Sequence, residues 1–338
     1  MPSNHGELVL FILEIVKLVY CDNCFDMATA VQHDKYMEHQ IFRKFRSPSP
    51  YACASACLMS SACLSFGFEK KTRTCHLNSN SSANGNIVDR AGFLISDILH
   101  WPKSIAGPCS QKQCPATSRC QVNRLDLATC VPEFRGCGQP QEVTNATNTY
   151  EGHYLGSVTT YTCRQDFRAC YDKVTSICQS SGQWENLTAG LCGQFIWHNP
   201  VLRVHYALPC GPSDKFRATV TGTPTHANSQ HRWNIWLWKD TDVLALSEFR
   251  FNYDSYMNVT VMNTKINGLW GQPVRVQSLP MTVGQETEVQ ITFHGGIYRL
   301  DIDGKSMFNF TERVPGAKPA SIYIEGSVSV RMIEILLY

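Results

Sequence analysis

Residues 194–338 alternate apolar and polar positions with a period of two, the pattern of strands that are buried on one face. Apolar side chains occupy every second position in a series of short runs: 216–220, 233–237, 289–293 and 298–302. Two further apolar runs follow, at 321–326 and 328–337. Turn-forming residues separate the runs at intervals of about 8 to 12 residues, as in two packed antiparallel sheets. The pattern predicts an all-β sandwich over residues 194–338.

Within this region, the stretch 245–275 predicts a strand, a tight hairpin and a second strand, followed by an exposed Trp-Gly pair. Side chains that can stack or hydrogen-bond recur along it: Arg250, Asn263, Trp270 and Arg275. A flat aromatic ring among fixed hydrogen-bonding groups suits a sugar, because a sugar ring has an apolar face and a fringe of hydroxyls. These residues are therefore candidates for a carbohydrate-binding site.

A second tryptophan cluster lies upstream, where Trp236 and Trp238 share one strand face and Trp233 lies on the other. We interpret this cluster as ordinary sandwich packing rather than as a binding surface.

Cysteine usage changes sharply along the chain. Of 16 cysteines, fourteen lie between Cys24 and Cys192, and only Cys210 follows them. Dense cysteines in short blocks are typical of small modules stapled by disulfides in an oxidising compartment. The region after Cys210 must instead fold around a hydrophobic core of its own. We therefore expect a mainly β, multidomain chain with disulfide-rich modules ahead of the sandwich.

Residues 1–30 have the features of a signal peptide. The segment 8–20 is apolar apart from Glu14 and Lys17, and it is too short to span a bilayer. The sequence Ala28-Thr29-Ala30 fits a cleavage site of the small-x-small type. We expect a secreted protein without a membrane span. Five Asn-x-Ser/Thr triplets are candidate glycosylation sites compatible with secretion: Asn80, Asn145, Asn186, Asn258 and Asn309.

Charge and motif content argue against several other functions. The chain has 30 Lys and Arg against 28 Asp and Glu, and this balance gives no electrostatic case for nucleic acid or membrane binding. It contains no His-Glu-x-x-His, Gly-x-Ser-x-Gly or phosphate-binding glycine loop. The sequence Asp301-x-Asp303-Gly304 has Ser306 where an EF-hand loop requires glycine. No enzymatic activity, cofactor or metal is expected.

The spacing from Cys53 to Cys75, C-x3-C-x5-C-x11-C with an intervening SFGF, resembles a PAN/apple domain, which we assign to residues 31–103. The resemblance implies the disulfides Cys53–Cys75 and Cys57–Cys63. Three elements are expected inside this block: a helix over 51–62, a strand that alternates from Leu64 through Phe66 to Phe68, and a polar loop over 80–90. We expect residues 100–103 to form its exit.

Cys21 and Cys24 lie upstream of this block and could supply the outer cysteine pair that PAN domains often carry. A metal or redox role for this Cys-x2-Cys is disfavoured, because no second cysteine pair lies nearby.

The next cysteines, Cys109-x4-Cys114-x5-Cys120-x9-Cys130, resemble the first part of an EGF-like module, which we assign to residues 104–136. The resemblance implies the pairs Cys109–Cys120 and Cys114–Cys130. The closing cysteine pair of that family is missing, so the module is partial.

Residues 137–193 resemble a sushi (complement control) module through the segments CGQP, GSVTTYTC and ICQSSGQW. The resemblance implies the pairs Cys137–Cys178 and Cys163–Cys192, with Trp184 as a buried tryptophan packed against the disulfides. Cys170 and Cys210 then remain. They could bridge the sushi module to the final domain, or one of them could pair with another chain.

Residues 194–338 resemble a galectin along almost their whole length, through FRATVTG, the 245–275 stretch, ITFHGGIYRLDIDGKSMFNF and YIEGSVSVRMIEI. The resemblance implies a galectin-type β-sandwich that binds sugars on one sheet. The family motif runs His-x-Asn-x-Arg, then Val-x-Asn, then Trp-Gly-x-Glu-x-Arg. Its matching positions here are Arg250, Val261, Asn263, Trp270 and Arg275.

The chain departs from that motif at three positions: Leu246, Glu248 and Pro273 stand where the family has His, Asn and Glu. Leu246 cannot hydrogen-bond, and an ionised Glu248 accepts but does not donate. We expect Glu248 to pair with Arg250 or Arg275. The stacking platform is kept while the galactose-reading groups change, which indicates altered specificity, for an acidic or modified sugar. We place Asn258 in the hairpin between the two motif strands, where a glycan would shadow one end of the groove.

Two functions follow. The first is a secreted lectin that binds glycans or glycoproteins, positioned by its cysteine-rich modules. The second is an extracellular adhesion or complement-type protein whose PAN and sushi modules bind proteins, with a degenerate sandwich that binds no sugar.

Overall fold

A computed structural model describes residues 25–226 and 231–338 of the chain, which divides into two compact units. The first unit holds the described residues up to Gln141, together with Thr149–Thr160 and Thr175–Asn186. The second holds Glu142–Asn148, Tyr161–Val174 and the described residues from Leu187 onward. The boundary passes through the predicted sushi module, so each unit contains part of it. Cys21, Cys24 and most of the predicted signal peptide lie outside the described residues.

The PAN-like part of the first unit is a five-stranded antiparallel sheet in the order β1-β5-β3-β4-β2, with a helix packed on it. Its elements are α1 (Met27–Ala30), β1 (Gln32–Glu38), β2 (Ile41–Arg46), α2 (Pro50–Leu58), β3 (Ser65–Glu69), β4 (Thr74–Asn78) and β5 (Asn86–Asp97). Helix α2 begins after Ser49, whose side chain accepts a hydrogen bond from the Ala52 amide. It buries Cys53 and Cys57, which form the disulfides Cys53–Cys75 and Cys57–Cys63.

The helix predicted over 51–62 ends earlier, at Leu58. The Cα atoms of Cys57 and Cys63 lie 5.2 Å apart. Residues six apart in an α-helix are separated by a rise of about 9 Å, too far for a disulfide. The chain must therefore leave the helix between the two cysteines.

Two other local predictions for this block were wrong. Strand β5 already begins at Asn86, inside the loop predicted over 80–90. Leu64 lies outside β3 and is exposed, while both faces of β3 are buried, so the strand does not alternate. Trp101, predicted in the exit segment, is buried, and its Nε1 donates to Ser96 Oγ at 2.8 Å.

Residues ahead of the predicted boundary at 31 also pack on this module. The Phe25 ring lies 4.7 Å from that of Trp101, and Ala30 at the end of α1 is buried. The predicted Ala28-Thr29-Ala30 cleavage site thus lies in a segment that contributes to the core.

The rest of the first unit is held mainly by disulfides. After two 3-10 segments, η1 (Ile98–His100) and η2 (Lys103–Gln111), the strands β6 (Ser118–Val122) and β7 (Ala128–Pro132) form a hairpin. The disulfides Cys109–Cys120 and Cys114–Cys130 connect it to the preceding segment. They are the pairs expected from the sequence.

The sushi-like region contains five short strands: β8 (Ala146–Tyr150), β9 (Val158–Cys163), β10 (Phe167–Ala169), β11 (Thr175–Ile177) and β12 (Cys192–Gln194). Cys137–Cys178 lies in the first unit and Cys163–Cys192 in the second. Trp184 is half-buried rather than buried, and its Nε1 donates to the Gly138 carbonyl at 3.1 Å.

The second unit is dominated by a β-sandwich. Its strands are β13 (Ile196–His198), β14 (His205–Ala207), β15 (Lys215–Pro224), β16 (His231–Lys239), β17 (Asp242–Tyr253), β18 (Tyr256–Ile266), β19 (Leu269–Trp270), β20 (Val274–Val276), β21 (Thr287–His294), β22 (Ile297–Ile302), β23 (Lys305–Thr311), β24 (Ser321–Gly326) and β25 (Val328–Leu337). One sheet has the order β13-β25-β15-β21-β22-β23. The other has the order β14-β24-β16-β17-β18-β19, and β20 pairs with β18.

The core lies between the two sheets. The apolar positions predicted to point inward at 216–220, 233–237 and 289–293 are buried there, with Trp233 and Phe249 among the largest side chains. Near its start, this domain is joined to the Tyr161–Val174 segment by Cys170–Cys210, whose Cα atoms are 5.0 Å apart. Of the two alternatives that the sequence left open for these cysteines, the structure has the bridge within the chain.

Candidate carbohydrate-binding cleft

A cleft of about 500 Å³ lies on the face of the seven-stranded sheet that points away from the core. Alternation along the strands creates this face: Phe249 points into the core, so Glu248 and Arg250 point outward. All five candidate residues line the cleft: Glu248, Arg250, Asn263, Trp270 and Arg275. The structure adds Arg232, Trp236, Leu246, Tyr253, Val261, Gly271 and Pro273.

A buried carboxylate organises one end of the cleft. Glu248 is 3% exposed and accepts from Arg250 Nε at 2.9 Å and Nη2 at 2.7 Å, and from Arg232 Nη1 at 2.9 Å. Two arginines thus compensate the desolvation of one carboxylate. Of the partners predicted for Glu248, Arg250 is correct and Arg275 is replaced by Arg232, which enters from the neighbouring strand β16.

Tyrosine rings hold the guanidinium groups at this end. The Arg250 guanidinium carbon lies 5.2 Å from the ring centroids of both Tyr253 and Tyr256. That of Arg232 lies 4.2 Å from Tyr253, and that of Arg275 lies 5.1 Å from Tyr256. Stacking of this kind limits the rotamers of the arginines.

Asn263 is fixed by a residue that the sequence did not single out. Its Oδ1 accepts from Arg313 Nη1 at 3.0 Å and from the Thr264 amide at 2.9 Å. Arg313 also donates to the Gln272 carbonyl and to Thr264 Oγ1. Gly271 permits this arrangement, because a Cβ at that position would collide with Arg313 Nη1. The Asn263 amide is therefore left with its N–H₂ group as the free polar function.

Tryptophans form the other end of the cleft. Trp270 is 49% exposed, and its ring centroid lies 5.8 Å from that of Trp236. Trp236 stacks on Trp238 at 5.7 Å with an interplanar angle of 17°. Packing explains Trp233, as interpreted from the sequence, but that interpretation was wrong for Trp236, which lines the cleft.

Leu246 lies at the tryptophan end of the cleft. Its cross-strand neighbours are Trp236 on β16 and Asn263 on β18. It is 5% exposed and offers no hydrogen bond at the position where the motif has histidine. The Leu246 side chain therefore adds to the apolar surface beside Trp236.

Sequence reasoning missed Arg232, Tyr253, Tyr256 and Arg313. Arg232 has a weak local signal, since it precedes Trp236 by four residues on the same face of one strand. Arg313 has none, because it reaches Asn263 from the segment after β23. Asn258 lies within β18 and not in the hairpin, whose turn is formed by Asp254 and Ser255; its φ is 53° and it is exposed.

The described residues contain neither a cluster of metal ligands nor a helix suited to crossing a bilayer. Over residues 25–226 and 231–338, no cluster of three or more His, Cys, Asp or Glu side chains is arranged to hold a metal ion. No helix in that part of the chain is long and apolar enough to cross a membrane.

Three segments match protein-family profiles. Residues 24–95 match the PAN domain, residues 137–192 the sushi repeat (SCR repeat), and residues 203–335 the galactoside-binding lectin family. The PAN match begins ahead of the predicted boundary at 31, in agreement with the packing of Phe25 and Ala30. The EGF-like assignment of residues 104–136 stays a prediction.

Similar curated proteins are lectins that align with the sandwich. Galectin-4 of Bos taurus is 22% identical over 139 residues, which are 41% of this chain and 42% of the relative. Probable galaptin lec-8 of Caenorhabditis elegans is 25% identical over 111 residues, 33% of this chain and 59% of the relative. Galactoside-binding soluble lectin 13 of Homo sapiens is 24% identical over 133 residues, 39% of this chain and 95% of the relative. The chain thus spans about half the length of the first two.

Solved structures similar to part of this chain include the Caenorhabditis elegans galectin LEC-6, at 23% identity and a TM-score of 0.37 over 42% of this chain and 95% of that one. Sheep galectin-11 matches at 14% identity and a TM-score of 0.36, over 40% and 99%.

The chain is a multidomain, mainly β protein with a PAN domain, a sushi repeat and a C-terminal galectin-type domain. Domains of these kinds are lectin or protein-interaction modules and not enzymes.

Proposed function

We propose that the protein is a secreted lectin that binds glycans in the cleft of its galectin-type domain. One observation carries the proposal: a half-exposed Trp270 stands beside Trp236 in a cleft that is also lined by hydrogen-bond donors, the side chains of Arg232, Arg250, Asn263 and Arg275. An aromatic platform binds the apolar face of a sugar, and fixed donors bind its oxygens. The departures at Leu246 and Glu248 argue against the usual β-galactoside as the preferred ligand.

The cysteine-rich modules would position this lectin domain or contact other proteins. Seven disulfides among the described residues are typical of an oxidising compartment, which supports secretion. Recovery of the processed chain from the medium of expressing cells tests this part.

Glycan-array binding by the full chain tests the lectin function. Trp270→Ala should abolish binding, because stacking is lost. Leu269→Ala is the matched control, since its side chain is 76% exposed on the same short strand but does not line the cleft. A folded chain that binds no glycan would refute the proposal and favour the adhesion or complement-type function.

A further inference from the structure

The cleft carries more positive charge than its buried carboxylate can neutralise. Three guanidinium groups, those of Arg232, Arg250 and Arg275, line it together with one carboxylate, Glu248. Arg275 is exposed, and no carboxylate in the described part of the chain forms an ion pair with it. The next carboxylate on this face, Glu325, accepts from Asn234 and does not line the cleft. This end of the cleft is therefore cationic.

The acceptor atoms of the cleft are already in use. Both Glu248 oxygens accept from arginines, and Asn263 Oδ1 accepts from Arg313 and from the Thr264 amide. Among the charged and amide side chains that line the cleft, the remaining capacity is mainly that of donors: the free guanidinium N–H groups and the Asn263 N–H₂. The Tyr253 hydroxyl is the one side-chain group of the lining that can both donate and accept a hydrogen bond. A neutral sugar presents hydroxyls that must donate as well as accept, so such a lining leaves part of them unpaired.

The cationic and aromatic ends are separated along the strands. Arg232 and Trp236 lie four residues apart on β16, which corresponds to about 13 Å. Leu246 lies directly opposite Trp236 on β17 and adds apolar surface to the aromatic end, whereas Glu248 lies opposite Asn234, between the two ends. A sugar ring stacked at Trp270 and Trp236 can therefore extend toward Arg232 and Arg275.

We propose that the cleft selects glycans that carry an anionic substituent, a sulfate or a carboxylate, with the anion bound between Arg232 and Arg275 and a sugar ring stacked at the tryptophans. Arginine suits both groups, because its planar fork of N–H donors matches their oxygens. This inference rests on the proposed lectin function and specifies its ligand class.

Titration calorimetry on the full chain tests this specificity with three matched forms of one glycan that the chain binds on the array: the neutral glycan, its O-sulfated form and its sialylated form. At least one of the two anionic probes should bind at least about tenfold tighter than the neutral probe at low ionic strength. The ratio of anionic to neutral affinity should fall as salt is added. The two anionic probes distinguish sulfate from carboxylate as the preferred group.

Arg275→Gln should reduce the ratio of the neutral to the anionic dissociation constant several-fold, because it removes a cation from the proposed anion site and no ion pair of a buried carboxylate. Lys305→Gln is the charge-matched control, since it removes one positive charge from an exposed position on the other sheet. Arg275 is exposed, so its substitution should not affect folding.

Equal affinity for neutral and anionic probes, or an equal loss for both in Arg275→Gln, would overturn the specificity. If the neutral and anionic probes bound equally well and Trp270→Ala abolished the binding of both, the lectin function would stand without the anion preference. Absence of binding to every glycan of the array would refute both.

Discussion

Gly271→Ala should weaken glycan binding without unfolding the domain. The Cβ of alanine would meet Arg313 Nη1, and it would lie 3.0 Å from Thr264 Oγ1 and 3.3 Å from Asn263 Oδ1. Only the closest of these contacts is prohibitive, and it involves the end of a flexible, exposed side chain. We therefore expect Arg313 to move away while the backbone keeps its course. Asn263 then loses the 3.0 Å hydrogen bond from Arg313.

The magnitude follows from that hydrogen bond. A bond from a charged donor is worth about 1.5–3 kcal/mol when it is sheltered, and exposure of Arg313 places this one near or below the lower limit. A loss of about 1 kcal/mol in the orientation of Asn263 corresponds to a dissociation constant roughly fivefold higher. The melting temperature should change by only a few degrees, since the hydrophobic core of the sandwich is untouched.

A double-mutant cycle separates this mechanism from a general disturbance. Gly271→Ala, Arg313→Gln and the double variant are compared by calorimetry with one glycan that the wild-type chain binds. If Gly271→Ala acts through Arg313, the double variant binds no worse than Arg313→Gln alone. Additive losses, or an unaltered affinity in Gly271→Ala, would refute the role given to Arg313.

Three further outcomes are expected. Trp236→Ala should raise the dissociation constant for the same glycan about fivefold, because a stacking contact worth about 1 kcal/mol is lost. Trp238 does not line the cleft, so Trp238→Ala should have a smaller effect. Equal losses of affinity in the two variants would contradict the placement of Trp236 in the cleft. Burial lowers the pKa of His76 to about 4. Between about pH 6.5, the ordinary histidine pKa, and pH 4, the folded state therefore binds fewer protons at this residue than the unfolded state does. The free energy of unfolding should fall by up to about 3 kcal/mol as the pH is lowered through this range. Urea unfolding at pH 7 and pH 4.5 should show a smaller acid loss in His76→Phe, and an unchanged loss would rule out this histidine. Replacing Cys170 and Cys210 by serine should lower the free energy of unfolding by up to about 4 kcal/mol, because the loop between them spans 40 residues. Glycan affinity should not change. Calorimetric melting checks the stability and glycan titration checks the affinity; a lost affinity would show that this bridge shapes the cleft.

Features that depend on a residue's own strand could be predicted from the sequence. The inward positions Phe216, Trp233 and Ile291 are buried as expected, because alternation alone decides which face of a strand a side chain occupies. The same locality explains the pairing of Glu248 with Arg250, since residues two apart on a strand share a face. The galectin-type sandwich could be recognised from the sequence because each piece of its motif lies on one strand, and the strands follow one another along the chain.

Features that depend on register between strands could not be predicted. Arg232 reaches Glu248 across the β16–β17 pair, and it lies opposite Arg250 in a register that is set by a shift between Leu237 and Trp238. Arg313 comes from a segment that is distant in sequence. The 80–90 segment was assigned to a loop on composition, yet β5 gains its partners from β1 and β3 and extends back to Asn86. In each case a long-range pairing overrides the local signal.

The three departures from the galectin motif belong together physically. Glu248 in place of asparagine introduces a buried negative charge, which is stable here because Arg232 joins Arg250 around it. Pro273 in place of glutamate leaves no carboxylate there to pair with Arg275. Leu246 in place of histidine packs beside Trp236 and removes a polar group from the tryptophan end of the cleft. A site that had merely lost its function would not be expected to gather arginines around a buried carboxylate while keeping an exposed tryptophan beside them. The arrangement supports the proposed binding of a different glycan, with positive charge at one end of the cleft and apolar surface at the other.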